Sequence, residues 1–216
     1  MKKIATIVVL LSLSTLTFSQ VKWGVDFSIG TSRLRIDNPT TDPELFVSDR
    51  GSLGFNIGPF VNFGINNHWS IQLGVDASFN PSGLQFNGDT TFTISKNFSD
   101  RFERYNNVFL EVPLSVQYHL LDKDKLISPY LSLGAVFDFQ ILETCPDGIE
   151  ECLDHTRDFN LGTIVGIGFQ IKQKVSIGFK GEIGLFNVIT DDYNISRDDL
   201  QINKDLLLVE IGYTFN

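Results

Sequence analysis

The sequence predicts an all-β protein: an eight-stranded antiparallel up-and-down barrel that crosses a membrane. Four observations predict it. From Val21 onward, apolar residues recur with a period of two in eight segments. Each segment runs about ten residues, the length a tilted strand needs to span a bilayer. The connections between segments are alternately long and short. The second face of each segment is rich in glycine, serine, asparagine and glutamine, where a water-soluble barrel would carry lysine and glutamate. No stretch beyond the first twenty residues approaches the roughly 18 consecutive apolar positions of a membrane helix, so a polytopic helical protein is excluded.

The segment before the first strand is an export signal. MKKIATIVVLLSLSTLTFSQ opens on Lys2 and Lys3, continues in an uncharged apolar run from Ile4, and ends in small residues. That is the order of a secretory signal peptide, and the run is too short to span. A buried N-terminal helix would explain neither the lysines nor the abrupt change in composition. Cleavage is expected after Ser19, with Thr17 and Ser19 in the small-residue positions, so residues 1–19 form the signal and 20–216 the barrel domain. No cysteine follows the cut, which excludes a lipoprotein anchor. The chain has 17 Lys+Arg and 26 Asp+Glu. Removing Lys2 and Lys3 leaves 15 bases against 26 acids, so a nucleic-acid partner, which needs a broad basic face, is excluded.

The strands follow in order. Val21, Trp23, Val25, Phe27 and Ile29 share the apolar face of the first. Leu53, Phe55, Ile57, Pro59, Val61 and Phe63 form the second, and Trp69 to Phe79 the third. Leu110 to Leu120 form the fourth, Leu131 to Phe139 the fifth, and Phe159 to Phe169 the sixth. Val175 to Leu185 supply the seventh, and Leu207 to Phe215 the eighth. The connections at 31–52, 80–107, 142–158 and 189–204 are long and polar; those near 64–68, 121–128 and 172–174 are short. With the N-terminus in the periplasm, the short ones are periplasmic turns and the long ones external loops, the asymmetry of an outer-membrane barrel.

The glycine-rich face is expected inside. Thirteen of the 18 glycines fall on it, whereas Gly181 alone falls on the apolar face. Missing side chains there make room for large ones opposite, with Phe60, Phe109, Tyr130 and Phe186 expected as the fillers. The apolar face then meets lipid, and a closed barrel exposes no unpaired edge. Trp23, Phe63, Trp69, Tyr118, Phe169 and Phe215 fall near the periplasmic ends, where an aromatic girdle belongs. Pro59 and Pro113 lie inside strands and lack a ladder donor, so local bulges there, or strand boundaries displaced from these, are expected.

The motifs LEVPLSVQY (110–118), PYLSLG (129–134) and the closing GYTF (212–215) resemble the PorT-like outer-membrane β-barrel family of Bacteroidota. The resemblance spans the mature chain and makes Pro113 a familiar feature. One departure is that Asn216, not an aromatic residue, ends the chain, with Phe215 penultimate. The family takes its name from a type IX secretion component. The resemblance therefore implies an outer-membrane barrel with the barrel-assembly machinery as its insertion partner, and raises an accessory role in secretion as an alternative.

Chemistry-bearing residues are few. Cys145 and Cys152 bracket PDGIEE in the third external loop, and in an oxidising compartment a disulfide across that turn is expected. A metal site adding His155 and two free thiols are the alternatives. Under the disulfide reading, a thiol-alkylating reagent should add no mass before reduction and two adducts after it; alkylation without reduction would exclude the bridge. Catalysis at the rim through Asp154 and His155 is the enzymatic reading, but adjacency in sequence does not aim an imidazole at a nucleophile. His68 and His119 fall near periplasmic turns. No catalytic residue, metal or cofactor is expected.

The inner face carries Asp26, Asp76, Glu111, Asp138, Glu182 and Glu210, with Lys180 as the central base. Two readings stand: an internal polar network satisfied within the lumen, or an acidic pathway for cations or protons, since six confined carboxylates should not all be ionised. The third and fourth external loops are acidic, notably at Glu150, Glu151, Asp191, Asp192, Asp198 and Asp199. The whole reads as a monomeric, non-enzymatic binding or structural barrel with long external loops and a plugged lumen. Outer-membrane lipid, lipopolysaccharide and surface or secretion proteins are its expected partners.

Overall fold

The computed structural model describes residues 21–37, 46–49, 51–87, 90–91, 97–98, 101–144, 158–186 and 201–215. The signal segment 1–19 and the loop residues Cys145, Cys152, Asp154 and His155 lie outside the described residues. The strands are β1 (Val21–Asp37), β2 (Phe46–Asp49), β3 (Ser52–Gly64), β4 (Trp69–Gly74), β5 (Asp76–Asn87), β6 (Thr90–Thr91), β7 (Asn97–Phe98), β8 (Arg101–His119), β9 (Ile127–Thr144), β10 (Phe159–Ile171), β11 (Val175–Gly184) and β12 (Gln201–Phe215). β4 and β5 form one wall strand, because they keep one register against β8 on both sides of Val75: Leu73 pairs with Leu114, and Asp76 with Glu111. β1 pairs with both β12 and β3, so eight antiparallel wall strands close into a barrel.

The registers also set the stagger. From Arg33 on β1, direct partners run through Asp205, Ile183, Thr163, Ala135, Leu114, Leu73 and Val61 and return to Trp23. The circuit closes ten residues away on the same strand, which goes with a strand tilt of roughly 40°. An eight-stranded barrel of this tilt has a bore that side chains can fill.

Alternation sends the apolar face outward. Trp23 is 57% exposed, Phe179 62% and Leu207 61%, whereas Ser28, Asn56 and Glu111 on the other face are fully buried. Exposed apolar residues over buried polar ones invert the soluble pattern and suit a wall facing lipid. Two aromatic belts bound it. At the short-turn end, Trp23 stacks on Phe215 at 4.5 Å between centroids, and Trp69 on Tyr118 at 4.7 Å. A second belt, at the long-loop end, has Phe55 on Phe79 and Phe139 on Phe159, each at 5.4 Å. Phe159 and Phe169 lie ten residues apart on β10, which is roughly 25 Å of axial height at this tilt, the apolar band of an outer-membrane barrel.

The structure corrects four expectations. The long connections are partly strand: β1 and β12 stay paired from Thr31–Leu207 up to Asp37–Gln201, and β5 and β8 pair up to Phe86–Arg101. These ranges read as loop because the wall continues past the lipid band, and part of their polarity is lumenal, Ser32, Asn80, Asn203 and Lys204 being buried. The register stays unbroken at Pro59 and Pro113; instead, their missing donors split the strand between them. Val75, opposite Pro59, keeps one bond (Val75 N to Pro59 O, 3.0 Å), and a Cβ on Gly74 would meet the Pro113 ring at 2.9 Å. The bulge lies elsewhere, where Val108 pairs with Leu142 but Phe109 with Gln140, so Ile141 is the extra residue. Phe60, Phe109 and Tyr130 fill the lumen, but Phe186 is 42% exposed just beyond β11 and does not. Lys180, lastly, is not the only lumenal base.

Candidate functional site

The polar column within the lumen is the candidate site. Inward-pointing positions of six wall strands supply it: Asp26 from β1, Asp76 from β5, Glu111 from β8, Asp138 from β9, Lys180 and Glu182 from β11, and Lys204 and Glu210 from β12. The structure gathers them into two clusters, each around one lysine.

In the first, Lys204 Nζ lies 2.9 Å from Glu111 Oε1 and 2.7 Å from Asp138 Oδ2. β12 and β8 are four wall strands apart in the eight-strand circuit, so this ion pair crosses the full bore. The ammonium also sits 4.4 Å from the centre of the Phe109 ring, within cation–π range. Glu111 is fully buried yet well supplied: Asn56 Nδ2 donates to Oε2 at 2.8 Å, and Asn80 Nδ2 to Oε1 at 3.2 Å. Ser78 Oγ donates to Asn56 Oδ1 at 2.8 Å, fixing that amide's orientation.

In the second cluster, Lys180 Nζ lies 3.2 Å from Glu182 Oε1 and 3.6 Å from Glu210 Oε2. Asp26 and Asp76 complete the row. Asp76 is 1% exposed, and neither carboxyl oxygen receives a hydrogen bond from the described residues. Six carboxylates thus share the lumen with two lysines. Val136, Ile164, Leu206 and Leu208 fill the space between the polar groups.

Toward the short-turn end the column turns neutral. Gln117 Oε1 accepts from Asn62 Nδ2 at 3.1 Å, and Gln117 Nε2 donates to Gln72 Oε1 at 2.8 Å. Two cavities of about 30 Å3 each lie on either side of this amide layer, and Gln72 and Gln117 line both. A space of that size holds a water or two. His119 is buried with Nδ1 3.1 Å from Ser128 Oγ, while His68 sits in the turn after β3, Nε2 3.3 Å from Asp122. These two histidines meet at the backbone, His68 Nδ1 lying 2.9 Å from His119 O, and Ser128 Oγ donates its proton to Leu121 O at 2.9 Å, so His119 Nδ1 donates to that hydroxyl and does not activate it.

Lys204 is the residue that sequence reasoning missed. It stands in a polar stretch that composition marks as loop. Its signal was parity, since Lys204 shares the inner face with Leu206, Leu208, Glu210 and Gly212 once β12 is extended upward.

A family model for the outer membrane protein beta-barrel domain matches residues 17–190. The chain belongs to that family. Membership puts the lipid-facing band of this outer-membrane barrel in the outer membrane. Among solved structures, the chain is similar to OprG from Pseudomonas aeruginosa, with 10% identity over 91% of this chain and 94% of that one and a TM-score of 0.51. It is also similar to Ail of Yersinia pestis (16% identity, 91% and 99% covered, TM-score 0.42) and to Outer Membrane Protein W of E. coli (13%, 89% and 97%, 0.38). The likeness to OprG is one of fold. No curated protein matches the sequence.

Proposed function

We propose that this outer-membrane barrel is a non-enzymatic binding and structural module, plugged by its own side chains, whose long-loop end meets partners outside the cell. One observation carries the reading: Lys204 is seated across the bore between Glu111 and Asp138. A charge pair that spans the lumen ties opposite walls together and leaves water-sized gaps, so the wall and its loops, not a passage, are the working surface. The wall strands that continue past the lipid band hold those loops away from the membrane. Lipopolysaccharide and surface proteins are the fitting partners, with the barrel-assembly machinery acting at insertion. The N-terminal segment serves as a signal cut after Ser19, leaving residues 20–216 as a monomeric barrel domain with a Cys145–Cys152 bridge in its third long connection. The PorT-like motifs add an accessory role in type IX secretion, which a deletion strain scored for secreted cargo and envelope integrity would test.

Purified protein in a planar bilayer should show no steady conductance of porin size. Large, stable single-channel steps from the wild type would overturn the plugged-lumen reading.

The surplus of lumenal carboxylates favours a second reading, a narrow path for protons or small cations. Vesicles loaded with a pH-sensitive dye would then acidify faster with the wild type than with Asp76→Asn. Equal rates, matching protein-free vesicles, would remove that reading.

A further inference from the structure

The short-turn mouth of the barrel has the opposite electrostatic character to its lumen. Among the described residues, Lys22, Lys123, Lys125, Lys172 and Lys174 gather at this end against Asp122 and Asp124, in a chain whose formal net charge is -9. Asp122 is already engaged by His68. Just inside lies the outer of the two cavities. Lys22 and Lys123 both line it, with His119 and the amides or hydroxyls of Gln117, Gln173 and Thr214, and no carboxylate is among its lining residues.

Among the described residues, the acceptors for both lysines are neutral. Lys123 Nζ donates to the carbonyls of Asn66 (2.9 Å) and Trp69 (2.6 Å), and Lys22 Nζ donates to Gln173 Oε1. Two half-buried ammonium groups facing one small cavity with no counter-charge among the described residues are costly. Burial, with Lys22 as the lesser cause, pushes Lys123 in its turn down to about 8.

The backbone at this mouth is strained as well. Lys172 and Gln173, in the turn between β10 and β11, both adopt positive φ, 50° and 58°. Glycine or asparagine would take those positions at lower cost. Lys172 N bonds to Leu126 O at 2.9 Å, which ties this turn to the neighbouring one, and the strained geometry holds the Gln173 side chain over Lys22. Strain of this kind concentrates where a side chain must be held in a functional position.

We propose that the short-turn mouth is a binding site for a phosphate- or sulfate-type oxyanion, held between Lys22 and Lys123, with an anion oxygen replacing Gln173 Oε1 as the acceptor for Lys22. Donors converge on the cavity from several walls, which suits an ion with several acceptor oxygens better than a single-point halide. The exposed Lys125, Lys172 and Lys174 attract the ion without touching it in the bound state. The ion is supplied either free from solution or as a lipid headgroup.

The test uses the refolded barrel in phosphatidylcholine nanodiscs, titrated with inorganic phosphate and with chloride at matched ionic strength, followed by amide and lysine NMR shifts. Saturable shifts for phosphate at Lys22, Lys123 and Gln173, and none for chloride, are expected. Lys22→Gln and Lys123→Gln should each weaken binding at least tenfold, whereas Lys125→Gln should change it less than threefold. Variants count only if they show the wild-type gel shift on boiling; should Lys123→Gln fail that check, Lys22→Gln and Gln173→Gly carry the test. A second arm replaces part of the phosphatidylcholine with phosphatidylglycerol: competition with free phosphate identifies the headgroup as the source, and undiminished phosphate binding identifies the free ion. Non-saturable shifts in the wild type, or equal affinity in the Lys22→Gln, Lys123→Gln double variant, would overturn the proposal.

Discussion

Lys204→Ala is expected to lower barrel stability by about 3–5 kcal/mol, the usual cost of stranding buried partners of an ion pair. The alanine leaves Glu111 and Asp138, both essentially fully buried, facing each other without a cation, and it also removes the ammonium that lies over the Phe109 ring. The urea midpoint of unfolding from lipid vesicles reports the loss, as does the temperature at which the folded band disappears from an unboiled gel. Lys180→Ala should follow in the same direction with a smaller effect, because Lys180 is slightly more exposed and its partners are farther, at 3.2 and 3.6 Å. Combining Lys204→Met with Glu111→Gln and Asp138→Asn should recover most of the loss, since neutral groups of similar volume need no counter-charge. An unchanged midpoint for Lys204→Ala would mean that the cross-bore bridge does not hold the walls together.

Gly134→Ala is the second large expectation. Gly134 on β9 lies opposite Ser115 on β8, and a Cβ built on it would fall 2.1 Å from Leu114 O and 2.7 Å from Ser115 Cα. Both are backbone atoms, so no side chain can turn away and the two strands must separate. Overpacking of this kind costs about 1–3 kcal/mol, and within a closed circuit the displacement passes to every neighbouring strand, so slower insertion into vesicles should accompany it. Gly181 supplies the control. It faces outward, where its Cβ would meet a single atom, Val165 O at 3.7 Å. Gly181→Ala should therefore insert and unfold as the wild type does, and equal effects at the two positions would argue against close strand approach as the cause.

Legibility in the sequence followed the physics of each feature. The alternation in VKWGVDFSI and LGTIVGIGF was readable because a wall between lipid and a packed lumen imposes a strict period of two. The glycine face was readable for the same reason: a narrow bore excludes bulk from every strand at once. The inward carboxylates fell out of parity alone. Strand ends did not, because Leu34–Asp37 and Gln201–Lys204 pair with each other beyond the lipid band, where no apolar outer face marks the sequence and composition resembles a loop. Phe186 followed the parity of its strand, but β11 ends at Gly184, and beyond a strand parity no longer aims a side chain.

Sequence alone set the class of protein: eight wall strands, an apolar face for lipid and an acidic inner face. Those properties are sums over many residues, and no single contact is needed to decide them. Tertiary structure alone decided which charges meet. The ten-residue stagger brings Lys204 of β12 to Glu111 of β8, 93 residues earlier in the chain, and places Pro59 and Pro113 on either side of the Gly74–Val75 break. A change of one residue in register would keep every composition and still turn Lys204 from the bore to the outer surface, because successive side chains on a strand point to opposite faces. Register is settled by the closed circuit of hydrogen bonds taken together, and that circuit exists only once the barrel has closed.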